Sequence, residues 1–186
     1  MVSGAGGGLG AALCRASVAQ GDSVVALEPN EAALQALLAT LPTAQVLGLG
    51  GAAGDVTQLA SCSAAVAAAV QRFGGVDIVI NNAGITQRSL FQDADLDQLR
   101  RVMEVNYLGA VHLTHAALPQ LMARRGVVAA VSSVAGFAPL LGRSSYCASK
   151  HALHGFFDTL RCELAPQGVA VCLASPAFIA TGIASS

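Results

Sequence analysis

Two residues suited to proton transfer stand four positions apart in the segment SSYCASKHALHGFF, residues 144–157. Tyr146 is one of two tyrosines in the chain, and Lys150 is its only lysine. Residues at i and i+4 share one face of a helix. A free tyrosine releases its proton only near pH 10, but a neighbouring cation favours the phenolate. The pair could therefore take a proton from an alcohol and return one to a carbonyl oxygen.

A glycine-rich segment near the start of the chain has the pattern of a phosphate-binding turn. In SGAGGGLG, residues 3–10, Gly4, Gly8 and Gly10 have the spacing G-x-x-x-G-x-G. Glycines between a strand and a helix let backbone N–H groups approach a pyrophosphate, and the helix N-terminus attracts its charge. The segment lacks the G-K-[ST] ending of a nucleotide triphosphatase loop. It predicts a dinucleotide site, although a flexible glycine-rich terminus would look the same.

Glu28 strengthens the dinucleotide interpretation and indicates which dinucleotide is bound. It ends the second strand candidate, 18 residues after Gly10. A carboxylate there accepts hydrogen bonds from the adenosine ribose hydroxyls and repels a 2′-phosphate. No Arg or Lys lies in the glycine loop or beside Glu28. The sequence therefore favours NAD over NADP, against the alternative of a solvated glutamate at a strand end.

Strand and helix patterns alternate along the chain and would position these residues. Strand candidates lie at 23–27, 44–48, 76–80, 127–132 and 168–174, between helical patterns at about 8–20, 30–40, 57–72, 95–123 and 144–165. This alternation predicts one α/β domain over residues 1–186, a three-layer, Rossmann-like, doubly wound parallel sheet. Only Met1 and Val2 precede Ser3, so we expect a clipped first strand. Ser133 follows a strand, where such sheets bind ligands, and its hydroxyl could stabilise charge on a substrate oxygen.

The composition excludes several classes of protein. Hydrophobic residues are 54% and charged residues 11%, which suits a sheet buried on both faces and is too apolar for disorder. The net charge of −1 gives no reason to expect a nucleic-acid partner. No apolar run reaches the roughly 20 residues of a membrane span, and the first residues lack signal-peptide features. Five scattered cysteines without a CxxC pair indicate reduced thiols, so we expect a cytoplasmic protein.

Several segments together resemble the classical short-chain dehydrogenase/reductase family. Besides the glycine loop they are GDVT with Asp55, NNAG at 81–84, VNYLG, VSSVAG, YCASK and SPAFIAT. Gaps of 27, 13 and 4 residues separate Asn106, Ser133, Tyr146 and Lys150, in the order that the family shows. The resemblance extends from about residue 2 to residue 183.

The resemblance implies that Asn106, Ser133, Tyr146 and Lys150 form a catalytic tetrad. Tyr146 would be the acid/base, Lys150 would also hold the nicotinamide ribose, and Asn106 would support a water that relays protons. Ser132 competes with Ser133, although its spacing to Tyr146 is one residue too long. The cofactor contacts expected from these motifs are Ser3, Gly4, Gly8, Leu9, Gly10, Glu28, Asp55, Val56, Asn82, Ala83, Gly84, Tyr146, Lys150, Pro176, Ile179 and Thr181.

The sequence departs from the family at its end. Ala177 stands where the family usually has glycine, beside the nicotinamide. The family also continues through a substrate-covering loop and a helix to a last strand. We therefore expect that last strand to be missing and the sequence to be part of a longer protein.

Two histidine pairs suggest a metal site, but their surroundings do not. His112 and His115, like His151 and His154, are three residues apart and could share an ion. No acidic or cysteine partner stands at the usual ligand spacing, so we predict no metal site.

The helices predicted at 95–123 and 144–165 have apolar residues on more than one face. A second apolar face indicates a partner helix, and the resemblance implies a four-helix interface, so we expect a homodimer or homotetramer. The residues concerned are Val111, Leu118, Leu121, Leu153, Phe156, Phe157 and Leu160.

Three functions remain open on the sequence. The favoured one is an NAD-dependent oxidoreductase that interconverts a secondary alcohol and a ketone or aldehyde. The segment GFAPLLG, residues 136–142, favours an apolar small-molecule substrate. The alternative is a dinucleotide-binding protein with impaired catalysis. A structural module with a vestigial glycine loop is disfavoured by the intact tetrad.

Overall fold

In the computed structural model, which describes residues 1–177, six parallel strands form one sheet. Their order across the sheet is β3-β2-β1-β4-β5-β6. The strands are β1 Val2–Ser3, β2 Val24–Glu28, β3 Val46–Gly50, β4 Ile78–Asn81, β5 Val127–Val131 and β6 Ala170–Ala174. The short β1 still pairs on both sides, because Val2 lies opposite Ala26 of β2 and Ile80 of β4.

Six α-helices connect and flank these strands in the described part of the chain. They are α1 Gly8–Ala19, α2 Glu31–Leu38, α3 Leu59–Phe73, α4 Leu96–Met103, α5 Gly109–Arg124 and α6 Ser144–Leu164. Local chemistry sets several ends: the Asn30 side chain accepts the Ala33 N–H to cap α2, and Gly74 ends α3 at a positive φ of 84°. Short 3₁₀ turns lie at Gly51–Gly54, Phe91–Asp93, Val134–Gly136 and Ala165–Gln167.

Apolar side chains alternate between the two faces of the sheet and create two cores. In β2, Val24 and Ala26 pack with α1 and α2, whereas Val25 and Leu27 pack on the opposite face with α3, α5 and α6. Buried residues that point to opposite faces in turn are typical of a parallel strand between two helical layers. The predicted three-layer, doubly wound, Rossmann-like fold is confirmed.

The order of the strands reverses between β1 and β4, which creates a crevice at their carboxyl ends. The chain runs outward from β1 to β2 and β3, and then returns to β4 on the other side of β1. Doubly wound sheets bind ligands at such a switch point. The glycine loop follows β1 and the NNAG segment follows β4, so the fold brings both motifs to this crevice.

The helix predicted over 95–123 is confirmed, and the structure adds a π-helical turn within it that the sequence pattern did not indicate. A π-helical turn at Glu104–Leu108 separates α4 from α5. Within this turn, Asn106 accepts a hydrogen bond from the Ile85 N–H at 2.8 Å and donates one to the Ile85 carbonyl at 3.0 Å. A π-turn holds one extra residue, which hydrophobic periodicity does not reveal. The contact with a loop 21 residues earlier explains why the wider turn is stable.

Among residues 1–177, no helix is both long enough and apolar enough to cross a bilayer.

Replacing Phe157 with alanine should destabilise the protein strongly, because its side chain is fully buried in the core between α6 and the sheet. We expect Phe157→Ala to lower the free energy of unfolding by about 3–5 kcal/mol, measured by urea denaturation followed by circular dichroism. Phe91→Ala is the matched control, since Phe91 is 69% exposed, and should change the value by less than about 0.5 kcal/mol. Equal losses in the two variants would contradict the assignment of the core.

Candidate active site

A cavity of about 510 Å³ lies at the carboxyl ends of β2, β1, β4 and β5. The glycine loop, Glu28 and Asn30 line it beside β1 and β2. Ser133, Tyr146 and Lys150 line it beside β5. One continuous space therefore borders both the predicted dinucleotide motif and three of the four tetrad residues.

The glycine loop leaves no room for side chains at three of its positions, Gly4, Gly6 and Gly10. A Cβ at Gly10 would overlap the Gly4 carbonyl and lie 2.8 Å from Nδ2 of Asn82. A Cβ at Gly6 would lie 2.7 Å from Cβ of Ala33. The loop then enters α1 through Gly7 and Gly8, so the free N–H groups of the helix start lie at the cavity.

Ser3 and Asn82 fix the glycine loop to the loop that follows β4. The Ser3 hydroxyl accepts hydrogen bonds from the backbone N–H groups of Asn82 and Ala83, each at 3.1 Å. The Asn82 side chain donates in return to the carbonyls of Ser3 and Gly4, at 3.0 and 3.1 Å. The two motifs are therefore held as one unit at the switch point.

The Glu28 carboxylate borders the cavity and binds two backbone N–H groups. Its Oε2 accepts the Gly6 N–H and its Oε1 accepts the Asn30 N–H, both at 3.0 Å. Because a carboxylate oxygen can accept more than one hydrogen bond, these contacts leave acceptor capacity towards the cavity.

Lys150 is buried beside Tyr146. Its Nζ lies 5.6 Å from the centre of the Tyr146 ring and donates a hydrogen bond to the Val131 carbonyl at 2.8 Å. The side chain is only 3% exposed. Burial disfavours the ammonium form and lowers the pKa of Lys150 from its usual 10.5 to about 8.

The two candidate serines differ in exposure. Both line the cavity, but Ser132 is buried and donates to the Lys150 carbonyl at 3.5 Å. Ser133 is partly exposed, and its hydroxyl oxygen accepts the Ala135 N–H at 3.2 Å, so its own proton remains available. The structure thus combines the strand-end cap and the cavity-facing hydroxyl in one residue, Ser133.

Asn106 lies beneath the cavity and outside its lining. Besides its bonds to Ile85, its Nδ2 donates to the Ser149 hydroxyl at 2.9 Å. A Cβ built on Gly84 would lie 3.5 Å from Asn106 Oδ1 and 3.7 Å from Lys150 Nζ, so both atoms lie close to Gly84. The side chain of Asn106 therefore supports the wall of the cavity next to Lys150.

The other expected cofactor contacts divide into three groups. Those that line the cavity are Gly4, Gly8, Leu9, Gly10, Glu28, Asn82, Gly84, Tyr146, Lys150 and Pro176. Those outside its lining are Ser3, Asp55, Val56 and Ala83. The Asp55 carboxylate accepts hydrogen bonds from the N–H and hydroxyl of Thr57, and Val56 is buried against Gly109. Ile179 and Thr181 lie beyond the described residues.

The sequence analysis missed a buried polar cluster next to Tyr146. Gln87 is fully buried; it donates to the Ser89 carbonyl at 2.9 Å and accepts the Ser145 hydroxyl at 3.1 Å. Arg143 also donates to the Thr86 hydroxyl. These contacts join the loop after β4 to the start of α6. Only the position of Gln87, three residues after the NNAG segment, could have suggested it, since an isolated glutamine has no periodic signal.

The histidines are not grouped for metal binding. Nδ1 of His112 lies 3.2 Å from the Val56 carbonyl, and Nδ1 of His151 lies 2.9 Å from the Cys147 carbonyl. Over residues 1–177, no cluster of three or more His, Cys, Asp or Glu side chains could hold an ion.

Comparison with known proteins agrees with this geometry. The whole sequence, residues 1–186, matches the family described as short chain dehydrogenase. The chain belongs to the short-chain dehydrogenase/reductase family.

Similar proteins occur in animals and in bacteria. It is 38% identical to dehydrogenase/reductase SDR family member 7B of Bos taurus, over 98% of this chain and 58% of that protein. It is 34% identical to trans-4-hydroxycyclohexanecarboxylate dehydrogenase of Sinomonas cyclohexanicum, over 97% of this chain and 72% of that protein. The chain therefore spans a little over half the length of the first of these relatives.

Solved structures share the fold of this chain. A short-chain dehydrogenase/reductase from Burkholderia phymatum, solved with NAD, has a TM-score of 0.93 at 30% identity and covers 99% of this chain and 66% of its own. A 3-ketoacyl-(acyl-carrier-protein) reductase from Brucella melitensis, complexed with NADH, has a TM-score of 0.92 at 26% identity, over 98% and 76% of the two chains.

The lowered pKa of Lys150 should make the stability of this protein depend on pH. The unfolded chain keeps the lysine proton up to about pH 10.5, whereas the folded protein loses it above about pH 8, so raising the pH between these values favours folding. Relative to Lys150→Met, the wild-type free energy of unfolding should rise by about 3 kcal/mol across this range.

The measurement is urea unfolding of both proteins at several pH values between 7 and 10.5. Burial raises the pKa of the Cys14 and Cys62 thiols to about 11, which favours unfolding at high pH, but this effect is common to both proteins and cancels in the difference. Parallel stability curves for wild type and Lys150→Met would contradict the burial of an ionisable Lys150.

Proposed function

We propose that this short-chain dehydrogenase is an NAD-dependent oxidoreductase that interconverts a secondary alcohol and a ketone or aldehyde. The observation that carries the proposal is a single cavity bordered by the glycine loop and Glu28 as well as by Ser133, Tyr146 and Lys150. Two proteins of similar fold have been solved in complex with NAD and with NADH, respectively.

The residues of the glycine loop fit a dinucleotide. Close packing at Gly6 and Gly10 keeps the loop free of side chains, so its backbone can approach a pyrophosphate. The start of α1 adds N–H groups and the positive end of its dipole. Two features support NAD over NADP. Glu28 carries a negative charge, and position 7 of the loop holds a glycine rather than a cationic residue that could attract a 2′-phosphate.

A bound nicotinamide would supply the hydride acceptor for oxidation and the hydride donor for reduction. Tyr146 takes the proton from the substrate hydroxyl at its phenolic oxygen, and in reduction returns it to the carbonyl oxygen. The charged Lys150 favours the phenolate and holds the nicotinamide ribose. Ser133 donates a hydrogen bond to the substrate oxygen, where charge develops. Asn106 supports the path by which the proton passes from Lys150 to solvent.

Further properties of the protein belong to the same proposal. An apolar substrate is supported by Phe137 and Leu141, which are exposed on the loop between β5 and α6.

A homodimer or homotetramer is supported by Val111, Leu118 and Phe156, which remain partly exposed on α5 and α6. Leu121, Leu153, Phe157 and Leu160, which the same prediction included, are instead buried in the core. A cytoplasmic location, with reduced cysteines, is proposed as well.

Tyr146→Phe should abolish catalysis and leave cofactor binding intact, because it removes only the phenolic oxygen. We expect kcat to fall by about a hundredfold or more, while NADH affinity stays within about twofold of wild type. Turnover would be followed as NADH absorbance with cyclohexanol, 4-hydroxycyclohexanecarboxylate and a 3-ketoacyl thioester, and affinity as NADH fluorescence. Tyr107→Phe is the matched control.

Unchanged turnover in Tyr146→Phe would refute the catalytic role of the tyrosine. NADH binding by the wild type without turnover of any substrate in a broad panel would favour the alternative, a dinucleotide-binding protein with impaired catalysis.

Glu28→Ala should reduce the preference for NAD. Loss of the carboxylate removes its hydrogen bonds to the ribose and its repulsion of a 2′-phosphate, so we expect NAD⁺ affinity to fall about tenfold while NADP⁺ affinity does not fall. Parallel NAD⁺ and NADP⁺ titrations would measure this, with Glu31→Ala as control, because Glu31 lies on the same side of the sheet but outside the cavity. A clear preference of the wild type for NADP⁺ would refute the assignment.

A further inference from the structure

His154 continues the row of functional residues on α6. It follows Tyr146 and Lys150 at the same spacing of four, so the three side chains project from one face of the helix. Its ring lies behind the cavity wall, and Nε2 is 3.5 Å from the hydroxyl oxygen of Ser175, the residue directly after β6. The contact therefore joins α6 to the segment that carries Pro176.

The ring of His154 also packs tightly against the turn that follows β5. A Cβ on Gly136 would lie 2.6 Å from both Cδ2 and Nε2 of His154 and 2.7 Å from Oγ of Ser132. The ring of Phe137 meets the imidazole edge-on, with centroids 6.1 Å apart. The imidazole thus contacts a turn that begins with Ser133, in a space that only a glycine at position 136 leaves open.

These contacts place His154 where three parts of the cavity wall meet. The parts are α6 with Tyr146 and Lys150, the turn with Ser133, and the segment with Pro176. Two backbone hydrogen bonds already join the last two parts: Ser132 N–H donates to the Ala174 carbonyl at 2.7 Å, and Val134 N–H donates to the Pro176 carbonyl at 3.3 Å. His154 adds the side-chain contact between this pair and the helix.

We propose that His154 is a positioning residue, which sets the distance from Tyr146 to the walls formed by Ser133 and Pro176. This proposal rests on the proposed function, because the site that it positions is the site of hydride transfer. Small displacements of groups around reacting atoms cost much of the rate, so a contact behind the wall affects both cofactor affinity and turnover.

The same residues do not form a hydrolytic triad. The order Ser175, His154, Asp158 has the residue types of one, but Nδ1 of His154 is 4.0 Å from Oδ2 of Asp158. The other oxygen of Asp158 binds Arg161 at 2.6 Å. A triad requires the carboxylate to orient the imidazole through a hydrogen bond. Asp158 and Arg161 are on α6 itself, and residues 132–137 and 174–177 bring no ionisable side chain to the ring.

The test compares His154→Phe, His154→Gln and Ser175→Ala with His151→Phe, a control at an exposed histidine of the same helix. Phenylalanine fills the space but forms no hydrogen bond, whereas glutamine can still bond to Ser175. We expect His154→Phe and Ser175→Ala to weaken NADH binding about three- to tenfold. His154→Gln and His151→Phe should stay within about twofold of wild type.

Two further readouts separate positioning from general stability. Amide hydrogen exchange, followed by NMR, should accelerate at Ser132 and Val134 in His154→Phe and remain unchanged at Ala170, which bonds to the Gly126 carbonyl at the opposite end of β6. In the double variant His154→Phe/Ser175→Ala, the loss of NADH affinity should be no larger than in either single variant, since both remove the same contact.

The outcomes distinguish this proposal from the proposed function. If the wild type binds NADH and His154→Phe changes neither affinity nor exchange at Ser132 and Val134, the positioning role is overturned and the proposed function stands. If exchange accelerates but affinity and kcat do not change, the contact is only structural and the proposal also fails. If the wild type binds neither NADH nor NADPH, the proposed function falls, and with it the role of His154 in that reaction.

Discussion

The hydrogen bond from the buried ammonium of Lys150 to the Val131 carbonyl is the contact on which the arrangement of the cavity depends. Lysine is rarely buried without a partner, because desolvation of its charge is costly. Here the partner is the last residue of β5, so the bond fixes α6 against the carboxyl end of that strand. Tyr146, one helical turn earlier, is thereby held at the cavity rather than in solvent. The cost of this burial is visible in the lowered pKa of Lys150.

Helix α6 can carry such a group because its other face supplies stability. Leu153, Phe157 and Leu160 pack into the core beneath the sheet, while the row that begins with Tyr146 and Lys150 faces the cavity and its walls. The apolar and the polar side chains lie on different faces of α6, so the apolar contacts that hold the helix in place do not depend on the polar ones. A buried ionisable group is tolerated where the surrounding structure over-determines the position of its helix.

The sequence predicts those parts of the molecule that depend on local pattern. Each strand candidate from β2 to β6 begins and ends within two residues of its observed position, because runs of buried apolar residues between glycines and polar turns mark a parallel strand. The spacing of Ser133, Tyr146 and Lys150 likewise places them around one cavity, since the carboxyl end of a strand and the first turns of the next helix are neighbours in every doubly wound sheet.

Features that depend on contacts between distant segments could not be predicted from local sequence pattern. The π-turn at Asn106 is stabilised by the hydrogen bond from the Ile85 N–H to the Asn106 side chain. The burial of Gln87 depends on its hydrogen bond with Ser145 at the start of α6. Neither contact leaves a periodic trace. Asp55 matches the family motif, and in the structure its carboxylate binds Thr57 in a local turn outside the cavity lining.

Glu28 holds the glycine loop in place, and under the proposed function it would also influence which dinucleotide binds. Its carboxylate binds the Gly6 N–H, and this contact draws the glycine loop so close that a Cβ at position 6 would lie 2.9 Å from Cγ of Glu28. The charge would repel a 2′-phosphate, and the close approach also denies position 6 to any cationic side chain that could attract one. Substitution of Glu28 alone would remove the repulsion of the 2′-phosphate, but it would supply no cation to bind that phosphate. We therefore infer that strong NADP binding would need a second change, a cation at a loop position with more room, such as the exposed Gly7.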